Sequence, residues 1–186
     1  NVDGREIAIS CIHVGVDLPT IEAALATLTF EEGVMAWKKK FPGKVVFAGL
    51  DRLERLKGIP LKLIAIDTFL TECPEWKGKL VFPIIGITAL ERGQDYVQTL
   101  TDVRLLVAMI NKKHGTPVDP VITFSETTED NMTMIERLSF FAAADVLIIA
   151  SPRDGLNRTP MEFTLARAAW GKIVKEKGLS WEHVDG

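Results

Sequence analysis

The chain is poor in the residues that build metal centres, disulfide frameworks and membrane spans. Its three histidines, His13, His114 and His183, are widely spaced and have no cysteine or acidic cluster at metal-ligand spacing. Structural or surface roles are expected of them, and no metal. The two cysteines, Cys11 and Cys73, sit in separate apolar stretches without a C-x-x-C step. Free thiols in a reducing, cytoplasmic setting are therefore expected rather than a disulfide. The longest apolar run, Ala142 to Ala150, is broken by Asp145 and is far too short to cross a bilayer. No signal peptide opens the sequence, and its start at Asn1 without Met is expected of a fragment or a processed piece. A basic excess is also missing. The 22 basic and 25 acidic residues give a formal charge of -3, which argues against a nucleic-acid binder. Neither an internal repeat nor a low-complexity linker is present.

What remains is ordinary globular material: 186 residues, 47% apolar and 25% charged, enough for one domain with a full core. Strand and helix patterns alternate. Lys44–Gly49 reads as a buried strand. A helix is expected over Pro60–Cys73, with Leu61, Ile64, Ala65, Phe69 and Leu70 facing inward. Lys79–Gly86 is the next strand, with Pro83 marking a bend or an edge position. Glu91 to His114 carries the apolar stripe Tyr96, Val97, Leu100, Val103, Leu106, Val107 and Ile110, and Gly115 stops it. Val121–Phe124 is a third strand, and Asp130 is a candidate cap for a helix running to about Ala143. Asp145–Ala150 has the strongest pattern of a buried strand, and a last helix runs from about Pro160 to Lys177. Before these, Glu6–Val16 fits a strand and Ile21–Lys40 a helix. The alternation predicts an α/β fold, a doubly wound parallel sheet with helices on both faces.

Two strand-to-helix loops carry the chemistry. In an open parallel sheet they lie at the carboxyl edge, where ligands bind. The first, Asp51–Gly58, offers Arg52 and Lys57. Arginine forks two hydrogen bonds onto phosphate oxygens, and lysine adds a point charge. The second, Ser151–Glu162, offers Asp154, a turn at Gly155, and the amino end of a helix starting near Pro160. Asn157 and Thr159 are candidate caps, and Arg158 adds a full charge. Amides at such an end attract anions. Asp154 suits sugar hydroxyls, and Glu162 a ribose diol. Pattern alone leaves plainer readings open: a solvated charged loop for the first, a capped turn for the second.

The same residues carry a family resemblance. The chain resembles the UDP-forming trehalose-phosphate synthases, glycosyltransferases of the two-domain GT-B architecture, from about Gly4 to Arg167. The matching motifs are Arg5-Glu6-Ile7, His13-Val14-Gly15-Val16-Asp17, Gly49-Leu50-Asp51-Arg52-Leu53, Lys57-Gly58-Ile59-Pro60, Pro74-Glu75-Trp76-Lys77-Gly78-Lys79, Ile110-Asn111 with Gly115-Thr116, Ala143-Ala144-Asp145-Val146, and Arg153-Asp154-Gly155 with Asn157 and Glu162. Their order is more specific than any one of them.

The resemblance implies the carboxyl-terminal, Rossmann-like domain of such an enzyme. It implies that Arg52 and Lys57 hold the diphosphate, Asp154 contacts the glucose, and Glu162 binds the ribose. It further implies that amides along Gly155, Leu156, Asn157, Arg158 and Thr159 meet the phosphates. Arg52, Lys57 and Asp154 are then the catalytic candidates. The implied reaction moves glucose from UDP-glucose to glucose 6-phosphate with retention. No metal or further cofactor is implied, and the acceptor site belongs to an amino-terminal domain outside this chain. The backbone near Ser125–Asn131, a polar loop by pattern, is implied to meet the uracil. The expected division is a lead-in at 1–40, a UDP-glucose-binding domain at 41–178 and a tail at 179–186. A homo-oligomer or a trehalose synthase complex is a possible assembly, with neither nucleic acid nor membrane as partner. Departures from the family pattern are Glu54-Arg55 for Asp-Tyr, and Leu156, Arg158 and Thr159 for Met, Leu and Val. The family's non-catalytic regulatory members provide an alternative role for a chain with such changes.

Overall fold

The computed structural model describes residues 14–88 and 93–179. Helices α1 (Leu18–Leu25) and α2 (Leu28–Lys40) precede strand β1 (Val45–Arg52). Then come α3 (Ile59–Glu72), β2 (Leu80–Thr88), α4 (Gln94–His114), β3 (Ile122–Thr128), α5 (Met134–Ala143), β4 (Val146–Leu147) and α6 (Thr159–Lys177). The strands pair in parallel in the order β3-β2-β1-β4.

The period of two along each strand divides the core into two layers. In β2, Val81, Ile85 and Ile87 join a cluster with Ile21, Phe30, Val34, Phe140, Phe141 and Trp170 from α1, α2, α5 and α6. Its alternate residues Leu80, Phe82 and Ile84 join Leu63, Ile66, Leu70, Val103 and Ile110 from α3 and α4. Each fully buried Leu, Ile or Phe contributes roughly 1.5–3 kcal/mol by leaving water, so both layers are needed to hold the sheet. Helices cover both faces, which is the doubly wound arrangement expected.

The chain proceeds outward from β1 to β2 and β3, then returns to place β4 on the other side of β1. The connection reverses between β1 and β4. Their carboxyl ends therefore open onto the crevice where ligands bind in such sheets.

Several expectations are corrected. The expected helix over Ile21–Lys40 is two, because Thr27 starts α2 by accepting the Phe30 N–H at 3.2 Å. In α3 the inward face is Ile59, Lys62, Leu63, Ile66 and Leu70, whereas Leu61 and Ile64 are 53% and 50% exposed. Pro83 lies in an interior strand rather than at an edge. Pairing of β1 with β2 skips Phe82 and Pro83 and resumes at Gly49 with Ile84, while Pro83 still pairs with Thr123 of β3. A missing N–H is tolerated there because only one ladder is interrupted. The cap of α5 is Thr133, not Asp130. Thr133 and Glu136 form a reciprocal capping box. The polar stretch Ser125–Thr128 is the end of β3 rather than a loop. Asp145–Ala150 is the largest correction. Only Val146 and Leu147 form a ladder, and Val146 and Ile149 are 36% and 38% exposed. Among the described residues nothing pairs with the outer edge of β4.

The expected strand at Glu6–Val16 lies mostly outside the described residues, and Val14–Val16 are not in a strand. Cys11, His13, Trp181 and His183 lie outside them too. His114 is buried, with Nε2 2.7 Å from Asp67 Oδ1, so its role is structural. Trp76 is partly exposed, with Lys79 Nζ 6.0 Å from its ring centroid. Trp37 packs on Phe41 and Phe140.

Candidate functional site

β1 runs three residues further than the sequence pattern indicates, so Asp51 and Arg52 end the strand rather than begin the loop. Alternation then turns them to opposite faces. Asp51 is buried on the α3 side, where Lys62 Nζ donates to Asp51 Oδ2 at 2.5 Å. Gly49 makes room for that ammonium, since a Cβ at this position would stand 2.9 Å from Lys62 Nζ. Burial pushes the Asp51 carboxyl above its usual range, against the pull of the Lys62 ammonium. Arg52 turns outward to the crevice. Its Nε donates to Glu129 Oε1 at 2.8 Å, and Glu54 lies 3.7 Å from its other arm.

After Arg52 the chain makes a short 3-10 turn at Arg55–Lys57 and reaches Gly58 at φ 69°. That left-handed conformation suits glycine. Lys57 then donates to Asp154 Oδ2 at 2.8 Å, which joins the two loops directly. In the second loop, Asn157 Oδ1 accepts the Thr159 N–H at 3.0 Å. The Met161 and Glu162 amides bond to the Arg158 carbonyl, and Pro160 has none. The first turn of α6 therefore spends its own donors at residues 159–162. An anion here meets side-chain cations and the loop before the helix, together with the helix dipole.

One cavity of ≈ 280 Å³ collects these parts: Leu50, Asp51, Arg52, Lys57, Ile87, Arg137, Leu156, Asn157, Arg158, Thr159 and Glu162. Asp154 reaches it through Lys57, and Gly155 lies beside it in the exposed turn. The volume is slightly under the roughly 300–1,000 Å³ of sites that enclose a small ligand whole, as one wall of a cleft would be. A larger concavity of ≈ 370 Å³ on α2, lined by Leu28, Glu31, Glu32, Met35, Ala36 and Lys39, is built from a single helix and lacks convergent groups from separate crossovers.

Sequence reasoning missed Arg137 and Glu129. Arg137 Nε donates to Glu162 Oε2 at 2.7 Å and its NH2 to Oε1 at 3.3 Å. A signal existed in the capping box Thr133–Glu136, which starts α5 at the carboxyl edge and puts Arg137 in its first turn. Glu129 follows β3 and gave no such signal. Among the described residues, no group of three or more His, Cys, Asp or Glu is placed to hold a metal ion. No helix there is long and apolar enough to cross a membrane.

Cations from one crossover, a helix start from another and a reversal of strand order between them are the features of an α/β domain of the Rossmann-like type found in GT-B proteins. The profile of glycosyltransferase family 20 matches residues 1–178, and the chain belongs to that family. It is 30% identical over 173 residues to an α,α-trehalose-phosphate synthase [UDP-forming] of Zygosaccharomyces rouxii, covering 93% of this chain and 35% of that protein. The chain thus spans about a third of the length of the curated relatives it matches. Its fold is similar to that of the Candida albicans trehalose-6-phosphate phosphatase N-terminal domain, with a TM-score of 0.80 and 27% identity over 90% of this chain and 35% of that one. It also matches a trehalose-6-phosphate structure from E. coli bound with UDP-2-fluoro glucose, with a TM-score of 0.69 and 21% identity over 82% of this chain and 33% of that one.

Proposed function

We propose that this chain is the nucleotide-sugar-binding part of a retaining glucosyltransferase that moves glucose from UDP-glucose to glucose 6-phosphate, forming trehalose 6-phosphate. The observation that carries the reading is the convergence of Arg52 and Lys57 with residues 156–159 on one cavity at the β1–β4 reversal, in a chain of glycosyltransferase family 20. Residues 41–178 are the binding unit in this reading. A lead-in at 1–40 packs on it through α1 and α2, and a tail follows at 179–186. The acceptor is held by a part of the enzyme beyond these residues, in the cytoplasm, with a homo-oligomer or a trehalose synthase complex as the assembly.

In this reading the bond from glucose C1 to the diphosphate oxygen breaks, and its electron pair leaves on the phosphate. Charge therefore grows on the diphosphate as the transition state forms. Arg52 and Lys57, drawn in part from Glu129 and Asp154 onto the bound diphosphate, stabilise that growing charge more than the ground state, which is what lowers a barrier. Arg158 adds a third cation. Asp154 is positioned by Lys57 and takes the sugar hydroxyls. Glu162 is the group nearest in kind to an acceptor for the ribose diol, and Arg137 already holds both of its oxygens. The new bond to C1 forms from a hydroxyl of glucose 6-phosphate on the same face, and that hydroxyl's proton passes to the departing diphosphate oxygen.

Calorimetric titration of the folded chain with UDP tests the reading. Binding is expected, and its absence at millimolar ligand would count against it. A second reading, a regulatory subunit that keeps the UDP-sugar fold without turnover, is supported by the likeness to a domain of a protein named as a phosphatase. Charge pairing supports it too, since Asp154 and Glu162 are each already bound to a cation. Glucose transfer by the full-length protein separates the two.

A further inference from the structure

Glu162 is buried at the first turn of α6, and both of its oxygens are engaged by one partner. Arg137 comes from the first turn of α5 and meets the carboxylate through Nε and one terminal nitrogen, one donor to each oxygen. This is the two-pronged geometry in which guanidinium binds carboxylate most strongly. The lone-pair sites left on the carboxylate point away from each other. A vicinal diol carries its two hydroxyls side by side, so it bridges both oxygens only across the face that the guanidinium now fills. The guanidinium brings full charge to the exchange and the diol brings none.

We propose, building on the nucleotide-sugar reading above, that Arg137 is a specificity-determining residue that competes with the ribose diol for Glu162. With Arg137 in place the cavity holds its ligand by the diphosphate, through Arg52, Lys57 and Arg158, and is nearly blind to the 2′ and 3′ hydroxyls. The ligand class preferred by this chain is then a diphosphate ester with little selection on the sugar next to the base. Arg137 also neutralises the one buried carboxylate on the α6 side of the cavity. It thereby spares an incoming diphosphate the repulsion of that charge.

The test is calorimetric titration of the full-length protein and of Arg137→Met with UDP, 2′,3′-dideoxy-UDP and inorganic pyrophosphate. For the unaltered protein the two nucleotides should bind within about twofold of each other. In Arg137→Met, UDP should gain about tenfold over dideoxy-UDP, the size expected of a released charge-assisted hydrogen-bond pair, with no matching gain for pyrophosphate. Arg137→Gln, which can give only one hydrogen bond, should fall between them and serves if the Met variant does not fold. A tenfold preference for UDP over dideoxy-UDP in the unaltered protein overturns the inference alone, as does an unchanged preference in both variants. Binding of pyrophosphate without UDP by every form sinks the nucleotide-sugar reading and this inference together, as does no binding at all.

Discussion

Gly58 lies so close to Ala150 that a Cβ built on it would stand 2.1 Å from the Ala150 carbonyl oxygen. The first residue ends the cation-bearing loop, and the second opens the loop that carries Asp154. Their contact fixes how the two halves of the cavity face each other. Gly58 also has a φ of 69°, so alanine there meets both backbone strain and a collision with main chain that cannot rotate away. Gly58→Ala should cost about 2 kcal/mol or more of stability, read as a lower urea midpoint with an unchanged slope. UDP affinity should fall with it, because the loops are pushed apart.

Arg52 and Lys57 must leave Glu129 and Asp154, at least in part, to meet a diphosphate. Their double substitution to alanine should therefore cost less than two unopposed charge-assisted hydrogen bonds. A loss of about 2 kcal/mol, roughly thirtyfold in Kd for UDP, is expected by calorimetry. An unchanged Kd would reject their assignment to the diphosphate.

The Arg52–Glu129 pair is half exposed, at 52% and 49%, so water and salt screen it. Glu129→Gln should tighten UDP binding by about threefold, in keeping with the modest worth of exposed pairs. The gain should shrink in 0.5 M salt.

Two aspartates give opposite pH effects. Hydrogen bonds from Lys113 and His114 lower the Asp67 carboxyl below its usual range. Its folded value lies below the unfolded one, so its contribution is present above the unfolded value and lost as pH falls through the folded one. Burial raises Asp51 instead. The stability it withdraws appears as pH rises from the ordinary carboxylate range toward its raised folded value. Asp67→Asn should flatten the acid limb of a stability-pH curve, measured by thermal unfolding. Asp51→Asn should remove the opposing slope.

Removing one member of the buried Asp51–Lys62 pair leaves a charge without its partner. Lys62→Met should cost about 3–5 kcal/mol. Lys62→Met combined with Asp51→Asn should cost clearly less than the sum of the single changes, since neither charge is then stranded. Urea unfolding of the four proteins checks this.

Much of the architecture was legible in one dimension because apolar periodicity is local. The alternation of strand and helix, the two-sided sheet and the positions of both loops follow from runs such as Lys79–Gly86, from the stop at Gly115 and from the helix start at Pro160. The illegible parts had charges in unexpected places. Lys62 sits in the middle of the buried face of α3, so the true stripe does not read as apolar, and the pattern of Leu61 and Ile64 competes with it. Asp145–Ala150 reads as a buried strand because composition reports how apolar a segment is and not what lies beside it. At the candidate site, the residue types and the loops that hold them were written in the sequence.

The partners of those residues were not, because each is set by long-range packing. Arg52 meets Glu129 across 77 positions, Lys57 meets Asp154 across 97, and Glu162 meets Arg137 across 25. By itself the sequence determined that Arg52, Lys57 and Asp154 follow strands and precede helices, since apolar periodicity and turn residues are local properties. Only the tertiary structure decided which carboxylate each cation holds, since that depends on how separate crossovers are brought together around β1 and β4.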